Sequence, residues 1–181
     1  GVEARGIVEV GCSNGYRLEY LRQKFHAVCY GYDISNEAIE AGRDAFPEIH
    51  LEQKVLHEIP YDKTFDLVIC NFVLHWVDRS FLVPSMSRID ALVRRGGTLV
   101  IGDFNPDYQQ KRKYHHLPDE EVYTYKQDYT AFFKATGLYR ETAVFTFDHD
   151  KQTYGYAPSE ARGMCAALHK MENEEYYVLT Q

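Results

Sequence analysis

Gly6-Ile7-Val8-Glu9-Val10-Gly11-Cys12-Ser13-Asn14-Gly15 is the stretch on which the fold turns. The apolar run Gly6–Val10 has the length and composition of a β-strand. It passes into a loop of small residues, and the loop opens a helix with Leu18, Leu21 and Phe25 on one face. Strand, tight turn and helix start, in that order, gather backbone N–H groups at the carboxyl end of a strand. An open α/β sheet takes its ligands there. Gly11 permits the tight turn, and Gly15 permits close approach at the helix start.

Outward from that unit the two periodicities keep alternating. Short Val/Ile/Leu-rich runs at 27–32, 49–53, 65–70 and 97–103 have the continuous apolar character of strands covered on both faces. Between them, Ser35 is placed to cap a helix that runs to about Phe46, where Pro47 stops it. Leu82, Met86, Ile89 and Val93 share another helical face. This alternation predicts a doubly wound, mostly parallel α/β sheet. After Asp103 the pattern changes. Residues from about 104 to 125 are aromatic and polar without clean periodicity, a helix is expected over 128–135, and Gly137 ends it. Two strand-like runs, 138–147 and about 164–169, are expected to pair antiparallel at the sheet edge, with a loop around Gly155 and Pro158 between them. One domain over 1–181 is expected, with a substrate-side insert at about 104–133.

Composition narrows the class. The chain has 181 residues, 45% hydrophobic and 26% charged, which excludes fibrous and disordered readings. Its 20 Lys+Arg against 27 Asp+Glu leave a net charge of −7, unsuited to a nucleic-acid or anionic-membrane surface, though a local basic patch is compatible with it. No apolar run approaches the roughly 18 residues a membrane helix needs. Cys12, Cys29, Cys70 and Cys165 form no C-x-x-C pair, and reduced thiols in a cytoplasm are expected.

The ligand is a nucleotide or nucleoside, because Asp33 ends the second strand near the spacing of about 20 expected for a ribose-binding carboxylate. A dinucleotide loop wants a third glycine under the pyrophosphate, but Tyr16 follows Gly15 here. Glu9 at the end of the first strand repels a pyrophosphate and attracts a cation. A nicotinamide-dependent oxidoreductase is therefore the weaker alternative, and a non-catalytic nucleoside-binding module is a third.

Together these residues resemble the class I S-adenosylmethionine-dependent methyltransferases. Glu9 to Gly15 looks like the family's first motif and Gly31-Tyr32-Asp33-Ile34 its second. Thr64 to Val77 resembles the fourth strand and its following turn, and Leu92 to Ile101 the fifth-strand signature. The resemblance implies a Rossmann-like seven-stranded sheet, mostly parallel, with an antiparallel C-terminal edge strand. It implies methyl transfer from S-adenosylmethionine, leaving S-adenosylhomocysteine, to an oxygen or nitrogen of a small-molecule acceptor, with neither nucleic acid nor membrane as partner. Carried over, Gly11, Cys12, Ser13 and Gly15 border the methionine part, and Glu9 orients its ammonium. Asp33 holds the ribose, Ile34 packs on adenine, and Leu56 offers a backbone N–H to it. Asn71 and Phe72 close the methionine end. Two positions depart from the family pattern. Ser13 replaces a frequent glycine, which is tolerable if its φ stays negative. Lys54-Val55 stands where many relatives have Gly-Asp, so Val55 borders adenine but cannot accept its amino hydrogen bond. Relatives usually carry a helical segment before the first strand, and this chain is expected to lack that lid element.

Methyl transfer is an in-line displacement, so the protein mainly positions its reactants and excludes water. A general base is needed only for an acceptor that holds its proton. His75 is placed for that role, or else packs a helix start. Asp103 binds substrate, or else caps the next segment. Cys12 lies at a helix N-terminus, but no base is placed to activate it as a nucleophile. His115-His116 diverge on any regular element and have no third ligand at recognisable spacing, so no metal site is expected.

Overall fold

Residues 4–60, 62–114 and 119–172 are described by the structure, a computed structural model. The adjacent His115-His116 pair lies outside them. Five parallel strands build the first half of the sheet: β1 (Gly6–Val10), β2 (Val28–Asp33), β3 (His50–Gln53), β4 (Phe65–Asn71) and β5 (Val93–Phe104). Helices α1 (Tyr16–Phe25), α2 (Asn36–Ala45) and α3 (Arg79–Leu92) cross between them. Ser35 caps α2 as expected, its Oγ accepting the Ala38 N–H at 3.2 Å. Asp78 caps α3 through the Ser80 N–H at 2.9 Å.

The side chains of β1 show why the sheet is covered on both faces. Ile7 packs with Leu18 of α1 and Ile39 of α2 on one side. Val8 and Val10 pack with Met86, Ile89 and Leu92 of α3 on the other, where Phe133 of α4 (Thr130–Ala135) joins them. Each face buries a continuous apolar layer, the main favourable term for such a domain.

The sheet order is β3-β2-β1-β4-β5-β10-β8-β9, where β8 is Tyr139–Asp148, β9 Thr153–Tyr154 and β10 Arg162–Lys170. The antiparallel C-terminal strand expected from the sequence is present: β10 runs antiparallel to β5 and to β8 and is seated between them. The sheet has eight strands where seven are expected, because two-residue β9 folds back on the end of β8. Two further differences have local causes. Val93 belongs to β5, since the helix ends at Leu92 and the strand begins without a linker. The stretch without clean periodicity holds a hairpin of β6 (Gln110–Lys113) and β7 (Tyr123–Lys126). Among the described residues no helix is long and apolar enough to cross a membrane.

Candidate functional site

Between β1 and β4 the strand order reverses, and at such a switch point the loops leaving the carboxyl ends of the strands part to form a crevice. A cavity of about 390 Å³ lies there. Gly11 borders it after β1, Asp33 and Ile34 after β2, Val55 and Leu56 after β3, and Asn71 and Phe72 at the end of β4. Seven residues singled out from the sequence thus meet around one space. Glu9, Cys12, Ser13 and Gly15 do not line it.

Gly11 has φ +72, and a Cβ built on it would come within 2.1 Å of Val73 Cγ2. A side chain at that turn would be strained by the backbone and would overlap Val73. Its N–H donates to Tyr32 O at 2.7 Å, which ties the first loop to β2. Asp33 accepts the Ser13 N–H at 2.8 Å through Oδ2 and the Ser35 N–H at 2.9 Å through Oδ1. A carboxylate has about four lone-pair sites, so two remain for ribose hydroxyls. Ile34 is 70% exposed, an apolar surface left for a planar ring to cover. Leu56 opens the 3-10 turn Leu56–Glu58, where a first-turn N–H has no intrahelical partner.

Ser13 is a correction to the sequence reading. Its φ is +51, in the left-handed region, and that turn aims its N–H at Asp33. Phe72 is also left-handed, at φ +56, with its N–H on Gly102 O at 2.7 Å. Left-handed backbone costs a non-glycine residue about 1–2 kcal/mol; Phe72 lines the crevice, and Ser13 holds Asp33, which lines it too.

Glu9 is 2% exposed. Its Oε1 accepts a hydrogen bond from Arg17 Nη1 at 2.5 Å, and its Oε2 is buried without a hydrogen-bond partner. Burial pushes the carboxyl up to about 7, the Arg17 charge opposes the rise, and the Asp33 charge adds to it. Arg17 carries no sequence signal, because it lies on α1 and Glu9 on β1, so no single periodicity relates the two. Cys12 is buried, and burial, with Asp33 and Glu9 nearby, pushes its thiol up to about 12. Such a thiol is almost wholly protonated at neutral pH and so a weak nucleophile.

On the far side of Phe72 and Trp76, which line both spaces, lies a second cavity of about 350 Å³. His75 borders it; Asp103 does not. Asp103 Oδ2 accepts the His75 N–H at 3.2 Å and Oδ1 accepts the Phe104 N–H at 2.8 Å. His75 Nδ1 lies 2.9 Å from Asp103 Oδ1 but out of line for a hydrogen bond from the ring. Of the two readings of Asp103, these contacts are those of a group that holds a turn. The hairpin of β6 and β7 supplies Arg112, Lys113 and Lys126 to the same cavity, and the segment after β8 supplies His149. Sequence reasoning passed over these, although the alternation in Tyr123-Thr124-Tyr125-Lys126 is a strand signal. It also passed over Phe81 of α3, which stacks on His57 at 4.4 Å along the first cavity.

A family model described as a methyltransferase domain matches residues 8–101. A malonyl-[acyl-carrier protein] O-methyltransferase of Halalkalibacterium halodurans is 25% identical over 113 residues, covering 58% of this chain and 41% of that protein. A trans-aconitate 2-methyltransferase of Variovorax paradoxus is 32% identical over 102 residues, 55% of this chain and 38% of its own. The chain therefore spans about two fifths of the length of these curated relatives. The Burkholderia thailandensis 1,6-didemethyltoxoflavin-N1-methyltransferase, solved with S-adenosylhomocysteine, superposes with a TM-score of 0.72 at 14% identity, over 93% of this chain and 72% of that one. That likeness concerns the fold.

Proposed function

Because the chain belongs to the methyltransferase-domain family, whose model matches it from β1 into β5, we propose that it binds S-adenosylmethionine in the first cavity and transfers its methyl group to an oxygen or nitrogen of a small molecule in the second. The observation that carries this reading is the pair of cavities divided by Phe72 and Trp76, one flanked by Asp33 and Ile34, the other open to an acceptor.

When bound, the donor supplies an electrophilic methyl on a sulfonium. The residues of this chain do the rest. Asp33 takes the ribose hydroxyls with its remaining lone pairs, while Ile34 and Val55 cover the adenine faces. Leu56 offers main-chain N–H at the adenine edge, and water takes the place of the side-chain acceptor that Val55 lacks. Glu9, whose Oε1 holds Arg17 and whose Oε2 is buried and unpartnered, is the counter-charge for the donor's ammonium. Gly11 and the loop through Cys12, Ser13 and Gly15 set the main chain along the methionine part. Asn71 and Phe72 hold its sulfur end toward the second cavity. Aromatic walls keep water from the line of transfer, where proximity and alignment provide most of the rate. His75 takes the acceptor's proton where the acceptor has one to lose, and Asp103 positions it.

Isothermal titration with S-adenosylhomocysteine tests the donor half. Saturable binding that Asp33→Ala abolishes is the expected result. Absent binding by a folded protein, or NADH binding in its place, overturns it.

A further inference from the structure

The second cavity carries more positive charge than methyl transfer in general requires. Arg112, paired with Thr124, and Lys126, paired with Gln110, are diagonal neighbours across the hairpin of β6 and β7, and both line the space. Among the described residues neither makes an ion pair, whereas their neighbour Lys113 is answered by Glu121 at 3.6 Å. The whole chain carries −7, so cations gathered here run against its composition.

Their surroundings raise the value of an anion. Lys126 Nζ sits 3.4 Å from the centroid of the Phe104 ring. Burial lowers its pKa first and the Arg112 charge second, while Asp150 and Asp103 pull it back up. An ammonium short of water and beside a like charge gains from an incoming carboxylate, whereas a cationic amine would add to the repulsion. Phe104, Phe72 and His149 pack against one another, with Phe104–Phe72 at 5.2 Å and His149–Phe104 at 4.9 Å between ring centroids. They form an apolar wall beside the charges. The space therefore suits an acid with a flat or short apolar body. It also adjoins the donor cavity through Phe72 and Trp76, which puts the anion beside the methyl group being transferred.

We propose that the acceptor is a small carboxylic acid, held as its carboxylate by Arg112 and Lys126, and that the product is its methyl ester. This rests on the donor reading above and names the acceptor class for the same site. A carboxylate oxygen forms the new bond to the methyl carbon as the carbon–sulfur bond breaks, and that electron pair stays on sulfur as the neutral thioether. The carboxylate is already ionised at neutral pH, so no proton leaves and no base is consumed. His75 then keeps to positioning the turn.

Trp76 makes the test direct, being the sole tryptophan of the chain and part of the wall between the cavities. Its fluorescence is followed first through a titration with S-adenosylhomocysteine. The saturated protein is then titrated with benzoate, malonate and octanoate, each against its neutral amide. At least one carboxylate should bind ten-fold or more tighter than its amide. Arg112→Gln and Lys126→Met should each erase that preference and leave the S-adenosylhomocysteine titration unchanged. With methyl-labelled S-adenosylmethionine, the preferred acid should yield label that mild base releases as methanol, as an ester does and an ether or N-methyl group does not. The proposal is overturned if carboxylates bind no better than amides, if the preference survives both substitutions, or if the transferred label resists base. Failure of the first titration instead counts against the donor reading, and the carboxylate assignment falls with it.

Discussion

Glu9→Gln separates what the donor site costs the fold from what it gives the ligand. Burial lifts the Glu9 carboxyl from 4.5 to about 7 in spite of the Arg17 guanidinium beside it. Folding therefore favours the protonated acid. Below pH 4.5 the group is neutral in both the folded and the unfolded chain. As the pH climbs through about 7, the folded chain must ionise it where charge is resisted, while the unfolded chain ionised it earlier at no penalty. The shift corresponds to on the order of 3 kcal/mol of stability, present in acid and lost above neutrality. Glutamine keeps the shape and has no proton to lose. Urea unfolding at about pH 5 and about pH 8 should show the stability of the variant relative to the parent rising by about 2–3 kcal/mol between the two. At about pH 8, where Glu9 is ionised, S-adenosylhomocysteine should bind the variant about ten-fold more weakly than the parent, because its ammonium has lost a counter-charge worth roughly 1.4 kcal/mol, and at about pH 5 the two should bind alike. A stability difference that stays constant between the two pH values refutes the reasoning, since it would mean that Glu9 titrates alike in both states.

Three other outcomes follow from single contacts. Gly11→Ala should cost about 2–4 kcal/mol from the left-handed backbone and the overlap with Val73, and adding Val73→Ala should return the steric part, about 1–2 kcal/mol, in urea unfolding; no recovery in the double variant contradicts the assigned contact. Cys12→Ala should keep methyl transfer, and Cys12 of the parent should resist iodoacetamide at neutral pH, as peptide mapping would show, because a thiol pushed up to about 12 is almost wholly protonated there. Val55→Asp should tighten S-adenosylhomocysteine by roughly 1 kcal/mol, about five-fold, by restoring an acceptor for the adenine amino group, and an unchanged affinity in titration calorimetry would place that group elsewhere.

The parallel half of the fold was legible because its signals are local. Gly6–Val10 is observed as read, the Ser35 cap is where its side chain required it, and β2 to β4 lie within a residue or so of their expected bounds. Seven of the residues assigned to the donor converge because they follow successive strands of one sheet, an order that sequence carries directly. What escaped depends on packing across the chain. The Glu9–Arg17 pair exists only once α1 lies against β1, and the left-handed turn of Ser13 only once Asp33 is there to receive its N–H. Strands of four residues, as in β6 and β7, show too few alternations to stand out among scattered tyrosines. The cationic cavity escaped with them, since Arg112 and Lys126 meet only when the hairpin closes.

The seating of β10 bears on how the molecule is made. β5 is twelve residues long, and the strand that covers its free side is the last in the described order, with the whole hairpin, α4 and β8 intervening. On the ribosome, β5 must therefore wait with a bare row of amide and carbonyl groups until nearly all of that polypeptide has emerged. An exposed rim seven residues long, Thr98–Phe104, invites mispairing with another nascent copy. Slow synthesis of the segment between β5 and β10 should then lower the yield of soluble protein without changing the stability of the molecules that do mature.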